Sequence, residues 1–361
     1  MTTYTTSTLE VRKDSWGDTR VVTDEIDSEL GENEVLLKVD RLALTSNNIS
    51  YAAAGDSLGY WRFFPAAEGW GRIPAMGWGD VIASAHPEIA EGERVWGFFP
   101  ISTHLRILAG KVSAAQFHDV SSHRADLAPV YSQFDRAAAN PFYEVEREDQ
   151  DSLLRGLFVT SWLVEDFLDV NECFGAAACL VTSASSKTSI ALGHSLKQRG
   201  KLTSIGITSA RHVAFCEGLG CYDMVVTYDD VRRLDASQAA VIVDMAGSAK
   251  VLGDLHHHFG DNVKHSCRIG ATHIDDMGPV DHLPGAVPEF FFAPTHIRQR
   301  SAELGSREFM MRMGTAYVGF RRFSDSWLQV ERHHGVEAVA AAYQRVLAGK
   351  ADPAAGQIIS M

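Results

Sequence analysis

Apolar and polar positions alternate singly in the first part of the chain. In EVLLKVDRLAL (34–44), Val35, Leu37 and Val39 oppose Leu36, Lys38 and Asp40, which is the period of a strand. GWGDVIASAHPEIAEGERVWGFFP (77–100) holds two strand-like runs around a Pro-Glu-Ile-Ala-Glu-Gly loop. Glycine and tryptophan are dense between Tyr60 and Trp96, so the chain up to about residue 110 reads as a β-rich, barrel-like half with tight turns. After Asp149 the rhythm changes. SLLRGLFVTSWLVEDFLDV (152–170) has a helical period, with Leu153, Leu157, Trp162 and Phe167 near one face. Short apolar runs then alternate with helical ones: ACLVTSA, a helix over 187–198, LTSIGIT, a helix over 211–218, DMVVTY, AAVIVDMAG, a helix over 248–258, and VKHSCRIGA. That order predicts a parallel sheet with helices on both faces. PEFFFAPTHI (288–297) reads as a further strand and 298–313 as helical. The tail from His333 gives an amphipathic helix, a Gly-Lys-Ala-Asp-Pro turn and a last strand expected to return to the first domain.

Composition narrows the function classes. The chain has 361 residues, 45% hydrophobic and 22% charged, enough for two ordinary domains with packed cores. Its formal net charge is −13, so nucleic acid and anionic membranes would be repelled. A small anionic ligand responds to the local field and is not excluded. Five cysteines form no Cys-x-x-Cys pair, and the first residues, MTTYTTSTLEVRKDSWGD, carry no apolar secretion signal; the expectation is a cytoplasmic protein. No apolar run approaches the length of a membrane span.

The stretch CLVTSASSKTSIALGHSLKQRG (179–200) raises the functional question. A strand feeding a helix N-terminus makes an anion site, because free N–H groups and the helix dipole both favour negative charge. Dinucleotide-binding turns usually carry glycines there. This turn has none, but its serines are small and bring hydroxyls. Lys187 opens the helix, where a cation is unfavourable unless an anion is near. A Ser-capped helix with a solvated lysine is the competing explanation. After the next strand comes Thr208-Ser209-Ala210-Arg211, with no acid to take the ribose hydroxyls. Ser and Arg there suit a 2′-phosphate. A phosphate loop of the GxxxxGK[ST] type fails, since Val181 and Ser186 stand where its glycines belong.

These pieces, in this order, resemble the medium-chain dehydrogenase/reductase superfamily, in a zinc-free, quinone-oxidoreductase-like branch of unknown function. GENEVLLKVDRLALTSNNISYAAAGD is similar to the opening of its GroES-like domain. GWGDVIASAHPEIAEGERVWGF is similar to its glycine-rich strand pair, LFVTSWLVEDF to its joining helix, and GLGCYDMVVTYDD to its strand-Tyr element. The resemblance implies an α/β protein: a GroES-like β-rich catalytic domain (1–150 and 314–361) and a Rossmann doubly wound cofactor domain (151–313). It implies NADP as cofactor, hydride transfer, and a homodimer formed along the edge of the Rossmann sheet, where the apolar EFFFAPTHI lies. Carried over by position, Thr160 lies near the nicotinamide end. Ser185, Ser186, Lys187 and Thr188 line the pyrophosphate. Ser209, Arg211 and Tyr228 surround the 2′-phosphate and ribose. Ala246, Gly247 and Ser248 follow one strand, and Gly270, Ala271 and Thr272 the next. Phe292 and Ala293 touch the nicotinamide.

The chain departs from the zinc-dependent members. Their Gly-His-Glu motif is absent from AAEGWGRIPAMGWGD, and no cysteine precedes residue 173, so no zinc is expected. Consecutive His256, His257 and His258 on a helix do not converge on one ion. Without zinc, polarising a carbonyl or enone oxygen needs a hydrogen-bond donor. TSNNISYAAAGDSLGYWRFFPA (45–66) supplies the candidates: Asn47 and Asn48 to orient substrate or cofactor, Tyr51 and Tyr60 as acids. Packing alone also accounts for either tyrosine. Trp61, Phe63 and Phe64 suggest an apolar substrate wall. The leading reading is an NADPH-dependent reductase of a carbonyl or conjugated C=C in a small, partly apolar substrate. An NADP-binding protein without turnover, and a lyase or isomerase on the same scaffold, are the alternatives.

Overall fold

The computed structural model describes residues 2–245, 247–269, 282–349 and 351–361. In chain order its main elements are β1 (Thr3–Arg12), β2 (Thr19–Asp27), β3 (Glu34–Leu44), α1 (Ser46–Ala53), β4 (Trp70–Gly71), β5 (Pro74–Ser84), β6 (Arg94–Pro100), β7 (His104–Gly110), β8 (Gln116–Asp119) and β9 (Gln133–Arg136). There follow α2 (Glu148–Val170), β10 (Ala178–Val181), α3 (Lys187–Arg199), β11 (Thr203–Thr208), α4 (Val213–Leu219), β12 (Met224–Thr227), β13 (Ala240–Asp244), α5 (Ala249–Phe259) and β14 (Val263–Arg268). The chain ends with β15 (Pro288–Phe290), α6 (Ala293–Leu304), α7 (Ser306–Ser324), β16 (Gln329–His334), α8 (Val336–Leu347) and β17 (Ala355–Ser360). Two compact units result: Met1–Leu153 with Leu328–Met361, and Leu154–Trp327.

In the first unit, β3, β5, β6, β9, β8 and β7 pair in that order, and β7 pairs back to β3, which closes a barrel. β17 joins antiparallel to β3, with Ile358 opposite Ala43, so the last strand does return to this unit. Parallel β16 lies beyond it; the polar run QVERHH gave no sign of a strand. The alternating side chains Val35, Leu37, Val95, Phe99, Phe117 and Phe134 fill the barrel. The glycines that crowd this region permit close approach. A Cβ on Gly77 would lie 2.1 Å from the Arg41 carbonyl oxygen, and one on Gly97 would lie 2.5 Å from the Phe134 ring. Buried Glu148 receives Arg94 through two bonds of 2.8 and 2.6 Å, and the Trp78 indole donates to the Glu148 carbonyl at 3.1 Å.

In the second unit, described strands β12, β11, β10, β13, β14 and β15 form one parallel sheet in that order. α3 links β10 to β11, α4 links β11 to β12, and α5 links β13 to β14, as the alternation of apolar runs predicts. Three local expectations change. The run 288–297 is a strand only to Phe290, because Pro294 sits in the first turn of α6, where its missing N–H costs nothing. The helical stretch 298–313 is two helices parted at Gly305, whose φ of 83° ends the first. The helix expected from 211 starts as a single tight turn, Ala210–His212, before α4. The expected crossing at 313/314 would cut α7. It falls after α7 instead, because Phe309, Tyr317 and Phe320 of that helix pack on Phe158 and Trp162 of the same unit.

Candidate functional site

β10 is the strand at which the sheet changes direction, with β11 on one side and β13 on the other. Ligands of open α/β sheets bind beyond the carboxyl ends of strands at such a point. The glycine-free turn sits there. Ser183 takes a left-handed φ of 51°, the conformation a glycine would supply. Ser186 caps α3: its Oγ accepts the Ser189 N–H at 3.1 Å and donates to Ser189 Oγ at 2.9 Å. Ser189 donates to the Thr182 carbonyl at 2.8 Å. The Thr182 hydroxyl donates to Asp244 Oδ1 at 2.7 Å and accepts the Met245 N–H at 2.9 Å. The Gly247 N–H also reaches Asp244 Oδ1, at 3.3 Å. The ends of β10 and β13 are thus stitched together beneath the turn.

The glycines needed for close packing are present, displaced from the turn. Gly193 on α3 and Gly206 on β11 flank the ring of Tyr222. A Cβ on Gly193 would lie 2.6 Å from that ring, and one on Gly206 would lie 3.0 Å from it. The buried Tyr222 hydroxyl donates to the Ala184 carbonyl at 2.9 Å and so fixes the turn from below. Burial holds this phenol far above its ordinary pKa, which keeps it a donor.

A hydroxyl cluster forms beside the turn. His212 Nδ1 lies 3.0 Å from Ser185 Oγ and 3.4 Å from Ser209 Oγ, and the Thr208 hydroxyl donates to Ser185 Oγ at 3.4 Å. Ser183 Oγ and the Tyr228 hydroxyl are 3.5 Å apart. Arg211 is exposed and engages no carboxylate among the described residues. Lys187 and Thr188 are half-buried in the first turn of α3, and the Thr188 carbonyl accepts Ser161 Oγ of α2 at 2.7 Å, next to half-buried Thr160. Ser248 caps α5, its Oγ accepting the Val251 N–H at 3.4 Å. The structure therefore gathers Ser185 with Ser209 and Tyr228 with Ser183. Phe292 and Ala293 form a different group: Phe292 is exposed, caps α6 and lines a cavity of about 250 Å³ with Phe167, His265, Cys267 and His296. Ala246, Gly270, Ala271 and Thr272 lie outside the described residues. Among the described residues no group of three or more His, Cys, Asp or Glu is placed to hold a metal ion, and no helix is long and apolar enough to cross a membrane.

The first unit holds the second cluster. Tyr51 of α1 lies 4.6 Å from Tyr60 between ring centroids and 5.4 Å from Phe98. The Tyr60 hydroxyl donates to the Tyr131 hydroxyl at 3.3 Å. Desolvation, then the neighbouring phenol of Tyr131, push Tyr60 well above its ordinary pKa. Tyr51 is pushed the same way by burial, Tyr131 and Tyr60, with Asn47 opposing. Both stay protonated at any ordinary pH, so they serve as neutral hydrogen-bond donors and not as phenolates. Asn48 is engaged in the fold: its Oδ1 accepts the Thr45 N–H at 2.6 Å and its Nδ2 donates to the Pro74 carbonyl at 2.7 Å. Trp61 belongs to the barrel core, sealed between Gly55 and Gly71. Phe63 and Phe64 pack with Phe98 and Leu127 beside the tyrosines. Reasoning from sequence missed Tyr131, Tyr222 and His212. Only His212 left a trace, as the residue next to Arg211.

A closed β-barrel unit with a parallel doubly wound sheet, and the turn at the switch strand, define the fold of the medium-chain dehydrogenases/reductases. Solved structures share it along the whole chain. CurA from Vibrio vulnificus has a TM-score of 0.62 at 12% identity, over 99% of this chain and 98% of that one. The quinone oxidoreductase from Coxiella burnetii has a TM-score of 0.60 at 12% identity, over 99% and 100%. A mutant form of the enoyl thioester reductase from Candida tropicalis has a TM-score of 0.56 at 12% identity, over 99% and 100%. No curated protein matches the chain. Residues 42–352 match the family described as "Protein of unknown function (DUF2855)", and the chain belongs to that family.

Proposed function

We propose that the chain is a zinc-independent, NADPH-dependent reductase that delivers hydride to a carbonyl or to a conjugated C=C. The observation that carries this reading is the turn after β10. It is built without glycine yet held in shape by Ser183, Ser186 and Tyr222, beside an exposed Arg211 and no ribose-binding acid. Neighbouring folds support it: one structure holds NADP and crotonyl-CoA, and another is an NADPH:quinone reductase candidate from Bacillus thuringiensis.

The residues present fit the cofactor. Ser185, Ser186, Lys187 and Thr188 would take the pyrophosphate at the helix N-terminus, and Ser209, Arg211 and Tyr228 the 2′-phosphate and ribose. Thr160, Gly247 and Ser248 would complete the wall. Bound NADPH supplies the hydride. Tyr60, kept protonated by its apolar surroundings, turns its single O–H from Tyr131 to the oxygen on which charge develops, and the Tyr131 hydroxyl then donates to the Tyr60 oxygen. Tyr131 orients that hydroxyl, and Tyr51 packs against its ring. Asn47 bears on Tyr51, and Asn48 fixes the start of the helix that carries it.

Titration with NADPH and NADH, followed by calorimetry, tests the reading. Arg211→Ala removes a charge-assisted contact worth about 1.5–3 kcal/mol, so NADPH affinity should fall by roughly 10–100-fold while NADH affinity barely moves. Lys187→Ala should weaken both nucleotides. Absence of binding by either nucleotide sinks the proposal. Tight NADPH binding without turnover on enones, quinones and carbonyls would leave a binding protein.

We also propose a homodimer. Phe290 in β15, the outer described strand of the parallel sheet, and Val287 and Phe292 just before and after it are exposed, and an open apolar edge invites pairing. Sedimentation should show a dimer, and Phe290→Glu should shift it to monomer; an unchanged mass would refute the edge as the interface. The five cysteines are all buried and unpaired, which fits a reducing cytoplasmic compartment.

A further inference from the structure

The first unit contains a second cavity, of about 260 Å³, walled by Ile26, Phe63, Phe64 and Leu105. Arg124 lines it, with its side chain only 2% exposed. A guanidinium carries five N–H donors, and buried donors are almost always satisfied. Arg124 is not. Its Nε lies 2.9 Å from Asp119 Oδ2 without the geometry of a hydrogen bond. Nη1 reaches the Tyr131 carbonyl at 3.4 Å, a weak bond, and Nη2 has no acceptor among the described residues. The Asp119 carboxylate is itself committed, since Oδ1 accepts both the Ser121 N–H at 3.0 Å and the Ser121 hydroxyl at 2.5 Å. On another wall, Ser102 Oγ lies 2.8 Å from Thr8 Oγ1 and 3.2 Å from Thr6 Oγ1, a linked set of buried hydroxyls.

We infer that this cavity is a binding site for a small monocarboxylate with an apolar body, separate from the nucleotide turn. The idle face of the Arg124 fork matches a planar carboxylate. Phe63 and Phe64 give the body a surface, and the guanidinium carbon already sits 4.7 Å from the Phe64 ring. Asp24 and Asp119 line the cavity beside Arg124, and the other lining arginines, Arg72 and Arg106, are already paired with Glu10 and Glu34, so a monoanion with an apolar body fits better than a bare phosphate dianion. Burial also lowers the Arg124 pKa, the sign of a cation whose desolvation its partners do not fully offset. A bound carboxylate would supply the missing acceptors.

The probe is benzoate, with neutral benzamide and inorganic phosphate as comparisons, added to the full chain at constant ionic strength without nucleotide. Melting temperature and calorimetry are the readouts. Benzoate should raise the melting temperature, benzamide should not, and phosphate should bind at least about tenfold more weakly than benzoate. Arg124→Met should abolish the benzoate effect. Should that variant fail to fold, Ile26→Trp fills the cavity and leaves the Arg124–Asp119 pair intact; it should weaken benzoate by about tenfold or more. The inference is overturned if benzoate has no effect on the wild type, if benzamide or phosphate matches it, or if Ile26→Trp binds benzoate unchanged.

Discussion

Tyr222→Ala is expected to destabilise the second unit by about 3–5 kcal/mol, the usual cost of deleting a buried aromatic ring. The ring fills the space between Gly193 and Gly206, and neither glycine offers atoms that could close the void. Urea unfolding followed by tryptophan fluorescence measures the loss. Tyr222→Phe separates packing from hydrogen bonding: it keeps the ring and loses only the bond to the Ala184 carbonyl. Its stability should fall by only about 1 kcal/mol. Its NADPH affinity should fall as well, because the turn no longer has an anchor beneath it. Wild-type NADPH binding in Tyr222→Phe would mean that the serines alone hold the turn in shape.

On the proposed reductase reading, Tyr60→Phe should lower kcat by about 10²-fold, the range typical of a lost proton or hydrogen-bond donor in the transition state. NADPH affinity should stay unchanged, since this residue lies in the barrel unit and not in the nucleotide turn. The effect belongs in kcat and not in KM if the hydrogen bond strengthens only as charge develops on the oxygen. Tyr131→Phe should give a smaller loss in kcat, because it removes the orienting partner and leaves the donor. Steady-state kinetics on an enone or quinone decides. A fully active Tyr60→Phe alongside an inactive Tyr51→Phe would move the donor role to Tyr51.

Asn48 shows where sequence reasoning stops. Read from the chain, Asn47 and Asn48 were equal candidates for orienting a substrate. In the structure Asn48 completes the cap on α1 and ties it to Pro74. A polar side chain in the first turn of a helix serves a capping box and a catalytic site with the same atoms, so composition does not choose between them. Phe292 shows the same limit. The local run EFFFAPTHI looked like one strand, but a proline two residues beyond Phe292 starts a helix and leaves Phe292 exposed at the junction. Tyr131 was not legible at all. It stands 71 residues from Tyr60, and no periodicity links them.

The sequence by itself determined the parts whose signals are local. Single alternation marked the barrel strands, apolar runs broken by helical periods marked the parallel sheet, and serines with Lys187 and Arg211 marked the turn. These follow from side-chain period and from chain stiffness over a few residues, so they can be read without a partner in view. The tertiary structure decided the pairings. It put Tyr222 between Gly193 and Gly206, linked Thr182 to Asp244, brought Tyr131 to Tyr60 and left Arg124 with idle donors in a cavity. Each depends on residues far apart in the chain meeting at a few ångströms, and that distance is set by packing and hydrogen-bond satisfaction across the whole unit.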